Sequence, residues 1–213
     1  MSNPPSAYVD TNILVSYALG ENDERFHIVE PFFEGVFQGK FVLHISHFVL
    51  SETLHTLRKI ATEQVYRELS DTYSQRDLIA LVDSPTFKYQ VRDRSFKAFK
   101  TIIDIITKDP DHFKVEGAEK LYSEKMFKEG LEILSELFGE FRVYRYRCAK
   151  CGSYLGCDTC GFDCEISYKA INAPDVTHVL ISSALECEYF YTMDKYFSHI
   201  PRERVKSEIV VLG

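Results

Sequence analysis

Four carboxylates in this sequence stand where a site built from oxygen ligands can form: Asp10, Glu52, Asp175 and Asp194. Asp10 closes the apolar run Ala7-Tyr8-Val9, and Asp194 follows the run Tyr189 to Thr192. Each therefore ends a short buried strand, at the carboxyl edge where ligands bind in open parallel sheets. Asp175 comes just after Pro174 in the first turn of a helix, where the helix dipole favours the ionised form. Glu52 is mid-helix, with Thr56 and Lys59 on its side. Gathering carboxylates raises their pKa values unless a cation offsets the repulsion. Mg²⁺ or Mn²⁺ does this: such an ion takes oxygen ligands, keeps several waters and binds a phosphate at its remaining positions. It also suits phosphodiester cleavage, where a water must be activated and charged oxygens stabilised. Taken singly, each acid has a plainer reading as a turn residue, a dipole contact or a solvated charge. Their order and placement together point to a metal site.

The cysteines suggest a second chemistry. Cys148-Ala-Lys-Cys151-Gly152 and Cys157-Asp-Thr-Cys160-Gly161 are two C-x-x-C-G knuckles, a pattern that fits tetrahedral Zn²⁺. The gap between the pairs is short, and Cys164 is an alternative to Cys157 or Cys160. An all-thiolate shell is closed to water, so this zinc would be structural. Cys187 falls at an apolar position on the helix of Asp175 and reads as a small core residue. The strand before the knuckles puts Arg142, Tyr144 and Tyr146 on one face and Val143, Arg145 and Arg147 on the other. Tyrosines for base stacking and arginines for phosphates suit RNA, giving Arg142, Tyr144, Arg145, Tyr146 and Arg147 as candidate contacts. An ordinary two-sided strand in an exposed hairpin has the same texture.

The elements that must position these residues alternate. Ala7–Val9 reads as a strand followed by a helix from Thr11. A second helix, about Asp23 to Phe37, leads through Gly39 into a strand Phe41–Ile45. Ser46 is an N-cap for a helix whose apolar positions are Val49, Leu50, Thr53/Leu54 and Leu57. Strand, helix, strand, helix is the α/β signature, with the first two strands parallel. The stretch 62–138 is mostly helical and broken at Pro85 and Pro110. Its last helix, 124–138, carries Met126/Phe127, Leu131, Leu134 and Leu137/Phe138 as a core-facing stripe. Phe141–Arg147 and Glu165–Ile171 read as two strands joined by the cysteine-bearing tip. A helix Asp175–Cys187, a strand Tyr189–Thr192 and a closing strand Glu208–Leu212 follow. The division is thus an α/β domain of 1–140 and 172–213 with an inserted zinc hairpin at 141–171.

Composition narrows the field. With 213 residues and an apolar fraction of 45%, one packed domain with a small inserted module is expected. A net charge of −7 argues against a broadly basic nucleic-acid surface, so any polyanion contact is local or carried by metal ions. The N-terminus lacks the basic and apolar regions of a secretory signal, and no run is long enough to cross a membrane. A cytoplasmic location is expected, and there six cysteines suggest metal or redox chemistry rather than disulfides.

Val9-Asp10-Thr11-Asn12, Ser51-Glu52-Thr53, Pro174-Asp175-Val176-Thr177-His178 and Thr192-Met193-Asp194-Lys195-Tyr196-Phe197 resemble the successive motifs of PIN-domain proteins. That family includes VapC-type toxins and RNA-processing nucleases. The resemblance covers roughly 7–57 and 173–200, and more loosely 124–138. It implies a three-layer α/β/α sandwich around a parallel sheet. It also implies an Mg²⁺- or Mn²⁺-dependent endoribonuclease that leaves a 5′-phosphate. Asp10, Glu52, Asp175 and Asp194 match the metal-binding acids, Thr11 and Asn12 would orient Asp10, and Thr192 would contact a ligand or the Asp194 backbone. RNA, an antitoxin or RNA-processing protein, and a second copy of the chain are the implied partners. His178 would orient Asp175 or a metal-bound water, or else be a partly buried histidine bonded to backbone; His55 near Glu52 has the same two readings. The long middle region and the cysteine hairpin depart from the usual core. A silent PIN-fold scaffold in RNA processing or ribosome maturation, and a nuclease acting on DNA, are the competing readings.

Overall fold

Short apolar runs bounded by polar residues form strands in this chain, and amphipathic runs between them form helices. The computed structural model describes residues 4–117, 128–133, 142–144, 167–169 and 173–213. β1 (Ser6–Val9), α1 (Thr11–Leu19), α2 (Phe26–Phe37), β2 (Val42–Ser46) and α3 (His47–Ser70) come first. α4 (Gln75–Val82), α5 (Pro85–Lys108), β3 (Phe113–Glu116) and α6 (128–133) follow. β4 (Arg142–Tyr144), β5 (Ser167–Lys169), α7 (Ala173–Ala184), β6 (Tyr189–Thr192) and β7 (Glu208–Val211) complete the described elements.

Five strands pair in parallel in the order β3-β2-β1-β6-β7. From β1 the chain works outward to β2 and β3, then returns to the other side of β1 for β6 and β7. That reversal makes the carboxyl ends of β1 and β6 a topological switch point, the standard ligand position in such sheets. Helices cover both faces. Tyr8 stacks on Phe190 across the β1–β6 pair, and His178 of α7 and Phe197 pack on that side. On the opposite face α2 sets Phe32 against Tyr191 and Phe33 against Phe113. The result is the α/β/α sandwich expected from the sequence.

Local chemistry places the joints. Ser46 caps α3 by accepting the Val49 N–H at 3.2 Å, and Ser84 caps α5 with Pro85 at its first position. Gly39 turns the chain from α2 toward β2 with φ +70°, and a Cβ there would sit 3.1 Å from His112 Nε2. Beyond the sheet, α3 and α5 continue together around a small second core of Ala61, Val65, Phe87 and Val91.

Several boundaries differ from expectation. α2 starts at Phe26 because Asp23 takes the Arg25 N–H at 2.8 Å and holds the chain in a turn. α3 runs unbroken to Ser70, and α7 stops at Ala184 before Glu186, which adopts φ 56°. β3 is a strand that the helical reading of 62–138 did not include. In α6, Leu131 is 68% exposed and not core-facing, whereas Ile133 is buried. Gly130 explains this: a Cβ there would meet Leu180 Cδ1 at 3.3 Å, so the face holding 130 and 133 is the one turned toward α7. The rest of the expected stripe lies outside the described residues. The expected strands around the cysteines pair antiparallel, with Arg142 opposite Lys169 and Tyr144 opposite Ser167. Cys148, Cys151, Cys157, Cys160, Cys164, Arg145, Tyr146 and Arg147 lie outside the described residues, and with them the zinc shell and most of the expected RNA-contacting face.

Candidate active site

The carboxyl ends of β1, β2 and β6 deliver the polar residues of the site. Asp10 follows β1 directly and is the N-terminal flanking residue of α1, which places its side chain at the sheet edge while its backbone is still extended. Although buried, its carboxylate is well supplied: Oδ2 accepts from Asn12 Nδ2 at 2.6 Å and from the Thr192 hydroxyl at 2.8 Å. Thr192, the last residue of β6, also accepts the Asp194 N–H at 2.9 Å. One hydroxyl therefore couples Asp10 to the backbone of Asp194. Asn12 closes the same corner by accepting the Met193 N–H at 3.3 Å. Asp194 in turn accepts the Tyr196 N–H at 2.9 Å and so begins a short 3₁₀ turn.

Glu52 reaches the site from the second turn of α3. Its Oε2 accepts from the Thr11 hydroxyl at 2.9 Å and lies 2.6 Å from His178 Nε2. The same ring nitrogen is 3.7 Å from Asp10 Oδ1, so one buried imidazole stands between the two carboxylates. Its second nitrogen, Nδ1, is 3.3 Å from the Tyr8 hydroxyl. His178 is held by side chains, not by backbone as the plainer reading had it. Asp175 is half-buried in the first turn of α7, one turn before His178. His55 is exposed on α3, where its charge acts on Glu52.

The two central acids have opposite electrostatics. Burial pushes the Asp10 carboxyl above the usual carboxylate range, against the pull of His178, the Thr192 hydroxyl and the Thr11 backbone N–H. Half-burial also raises Glu52, but His178 and Thr11 outweigh that and hold it below the usual range. An ionised Glu52 beside a reluctant Asp10 is an arrangement that a cation relieves. The donor set fits a hard ion, since Mg²⁺ keeps most of its waters and is often held by one or two carboxylates. Among the described residues no group of three His, Cys, Asp or Glu side chains is gathered closely enough to hold an ion. The structure thus joins Asp10 to Glu52 through His178 and to Asp194 through Thr192, while Asp175 stands one turn before His178 on α7 and no four-acid shell is closed among the described residues. Tyr8 and Ser46 are polar residues of the site that the sequence reading used only as a strand residue and a helix cap. Ser46 carried a signal, as the hydroxyl that ends β2, whereas Tyr8 inside β1 carried none.

Residues 7–106 match the family model of the PIN domain. The matched stretch spans β1 to α5, a little under half of the chain, and includes Asp10 and Glu52. Among solved structures, the chain is similar to one in the crystal structure of VapBC2 from Rickettsia felis bound to a DNA fragment from their promoter. That likeness covers 98% of this chain and 99% of the other, at 13% identity and a TM-score of 0.46. No curated protein matches the sequence. No helix among the described residues is long and apolar enough to cross a membrane.

Proposed function

We propose that this chain is a metal-dependent endoribonuclease, with Asp10, Glu52, Asp175 and Asp194 presenting oxygens to Mg²⁺ or Mn²⁺. The observation that carries the reading is the approach of Asp10 and Glu52 to one imidazole nitrogen, at 3.7 and 2.6 Å, at the switch point of a PIN-domain sheet. When bound there, the ion offsets the charge of the carboxylates and polarises the phosphate and a water for hydrolysis. The chain's own residues orient the ligands. Thr11 and His178 both engage Glu52 Oε2, which leaves Oε1 for another partner. Asn12 and Thr192 both donate to Asp10 Oδ2, which leaves Oδ1 on the side of Glu52. Lys195, exposed next to Asp194, would offer a cation to a phosphodiester backbone.

The segment 141–171 is proposed as an inserted module whose Cys148, Cys151, Cys157 and Cys160, with Cys164 as an alternative, hold one structural Zn²⁺. Arg142, Tyr144, Arg145, Tyr146 and Arg147 would there meet RNA. Elemental analysis of protein purified without added metal tests the zinc: about one equivalent supports it and none removes it.

Cleavage of labelled RNA and DNA panels by the wild type and Asp10→Asn, with Mn²⁺ and with chelator, tests the activity. The reading expects RNA cleavage that needs Mn²⁺ and is lost in Asp10→Asn. Equal cleavage by the variant overturns the site, preference for DNA overturns the substrate, and no cleavage of any panel favours a PIN-fold scaffold.

A further inference from the structure

Behind the two acids lies a line of polar atoms with no access to solvent. Ser46, Tyr8 and His178 are 0%, 0% and 1% exposed. Ser46 Oγ is 2.7 Å from the Tyr8 hydroxyl, which is 3.3 Å from His178 Nδ1, and His178 Nε2 is 2.6 Å from Glu52 Oε2. Residues from β1, β2, α3 and α7 thus form one continuous run ending on a carboxylate. We propose that Tyr8 and Ser46 are positioning residues of the site: they fix the His178 proton on Nε2, so that the ring is a permanent donor to Glu52. The link from this run to metal binding rests on the metal-site reading above; the assignment of the proton does not.

The hydrogen-bond inventory decides the direction of the run. An ionised carboxylate only accepts, so the short contact to Glu52 needs a hydrogen on Nε2. With Nδ1 bare, the Tyr8 hydroxyl donates to it, and the Ser46 hydroxyl donates to the Tyr8 oxygen. Ser46 Oγ still accepts the Val49 N–H at 3.2 Å. Every buried hydrogen then has an acceptor. A hydrogen on Nδ1 reverses the run: the ring donates to Tyr8, Tyr8 donates to Ser46, and the Ser46 hydroxyl hydrogen is left with no acceptor among the described residues. An orphaned buried donor is costly, so the first direction is selected. Packing fixes the ring plane as well, since Phe48 meets the imidazole edge-on at 4.9 Å and Tyr8 lies against it at 6.0 Å.

A metal-ligating histidine whose other nitrogen is satisfied behind it is a common way to tune metal affinity; here the histidine holds the ligand instead of being one. Without the hydroxyl of Tyr8 the ring loses its reason to keep the proton on Nε2, and Glu52 loses its fixed donor. Tyr8→Phe removes that hydroxyl alone and retains the ring stacked on Phe190.

The test is nitrogen NMR of the imidazole side chains in chelator, with His178 assigned by its absence in His178→Gln. The wild type should give the pattern of a hydrogen on Nε2. Tyr8→Phe, with unchanged circular dichroism, should give a mixture of the two tautomers. Mn²⁺ affinity should fall about ten-fold in the same variant, the lower end of what removal of an outer-shell partner costs. A wild-type spectrum with hydrogen on Nδ1, or a His178 pattern indifferent to Tyr8→Phe, overturns the proposal. If the variant misfolds, the wild-type spectrum alone decides it. Failure of the wild type to bind Mn²⁺ would overturn the metal-site reading, while the spectrum would still settle the tautomer.

Discussion

Replacing Thr192 with Val should destabilise the protein far more than its size suggests. The two side chains have nearly the same shape, and Val suits a strand, so the change opens no cavity and adds no strain. What is lost is a hydroxyl with no exposure to solvent that donates to Asp10 at 2.8 Å and accepts the Asp194 N–H at 2.9 Å. A hydrogen bond to a charged group contributes about 1.5–3 kcal/mol and a neutral one about 1 kcal/mol, so the expected loss is about 2–4 kcal/mol. For a chain of this size that lowers Tm by about 5–15 °C. Urea unfolding followed by circular dichroism in chelator, with calorimetry for Tm, measures both. Thr192→Ser keeps the hydroxyl and should recover most of the loss. A cost below about 0.5 kcal/mol for the Val variant would refute the idea that this hydroxyl ties β1 to β6, and recovery no better with Ser would point to packing instead.

Phe33→Ala should cost about 3–5 kcal/mol in the same unfolding assay, because its ring is fully buried between Tyr17 and Phe113 and leaves a cavity. Cys187, whose thiol burial pushes up to about 12, should resist alkylation at pH 8 in the folded protein and react once unfolded. In chelator, Glu52→Gln should lower stability at neutral pH. Glu52 titrates below its ordinary 4.5 in the fold, so its contribution is present above that value and fades as pH drops through the folded pKa. Asp10→Asn should do the reverse: Asp10 titrates above its ordinary 3.8, so the variant gains on the wild type as pH rises from there, which thermal melts across pH 3–8 would show.

The strands that carry the acids were legible because each is a short apolar run stopped by Asp or Ser: Ala7–Val9 before Asp10, Leu43–Ile45 before Ser46, Phe190–Thr192 before Asp194. β3 was hidden because four residues after a long helix give too little alternation to stand out, and its pairing with β2 is a long-range choice. Leu131 misled because a stripe of large apolar residues outweighed Gly130, whose missing side chain actually sets which face of α6 approaches α7. His178 was visible only as the neighbour of Asp175 on its helix. Its partners Tyr8 and Glu52 are 170 and 126 positions away, and nothing local announces them. Tyr8 was counted as apolar because its flanks are, and only the fold shows where the phenol ends.

Anomalous scattering from crystals grown with Mn²⁺ tests most directly whether the Asp10–Glu52 pair is a metal site. The expected peak lies beside both carboxylates at about 2.1 Å from a ligand oxygen, and it disappears in Asp10→Asn. A peak bound elsewhere, or one that persists unchanged in the variant, would contradict the assignment.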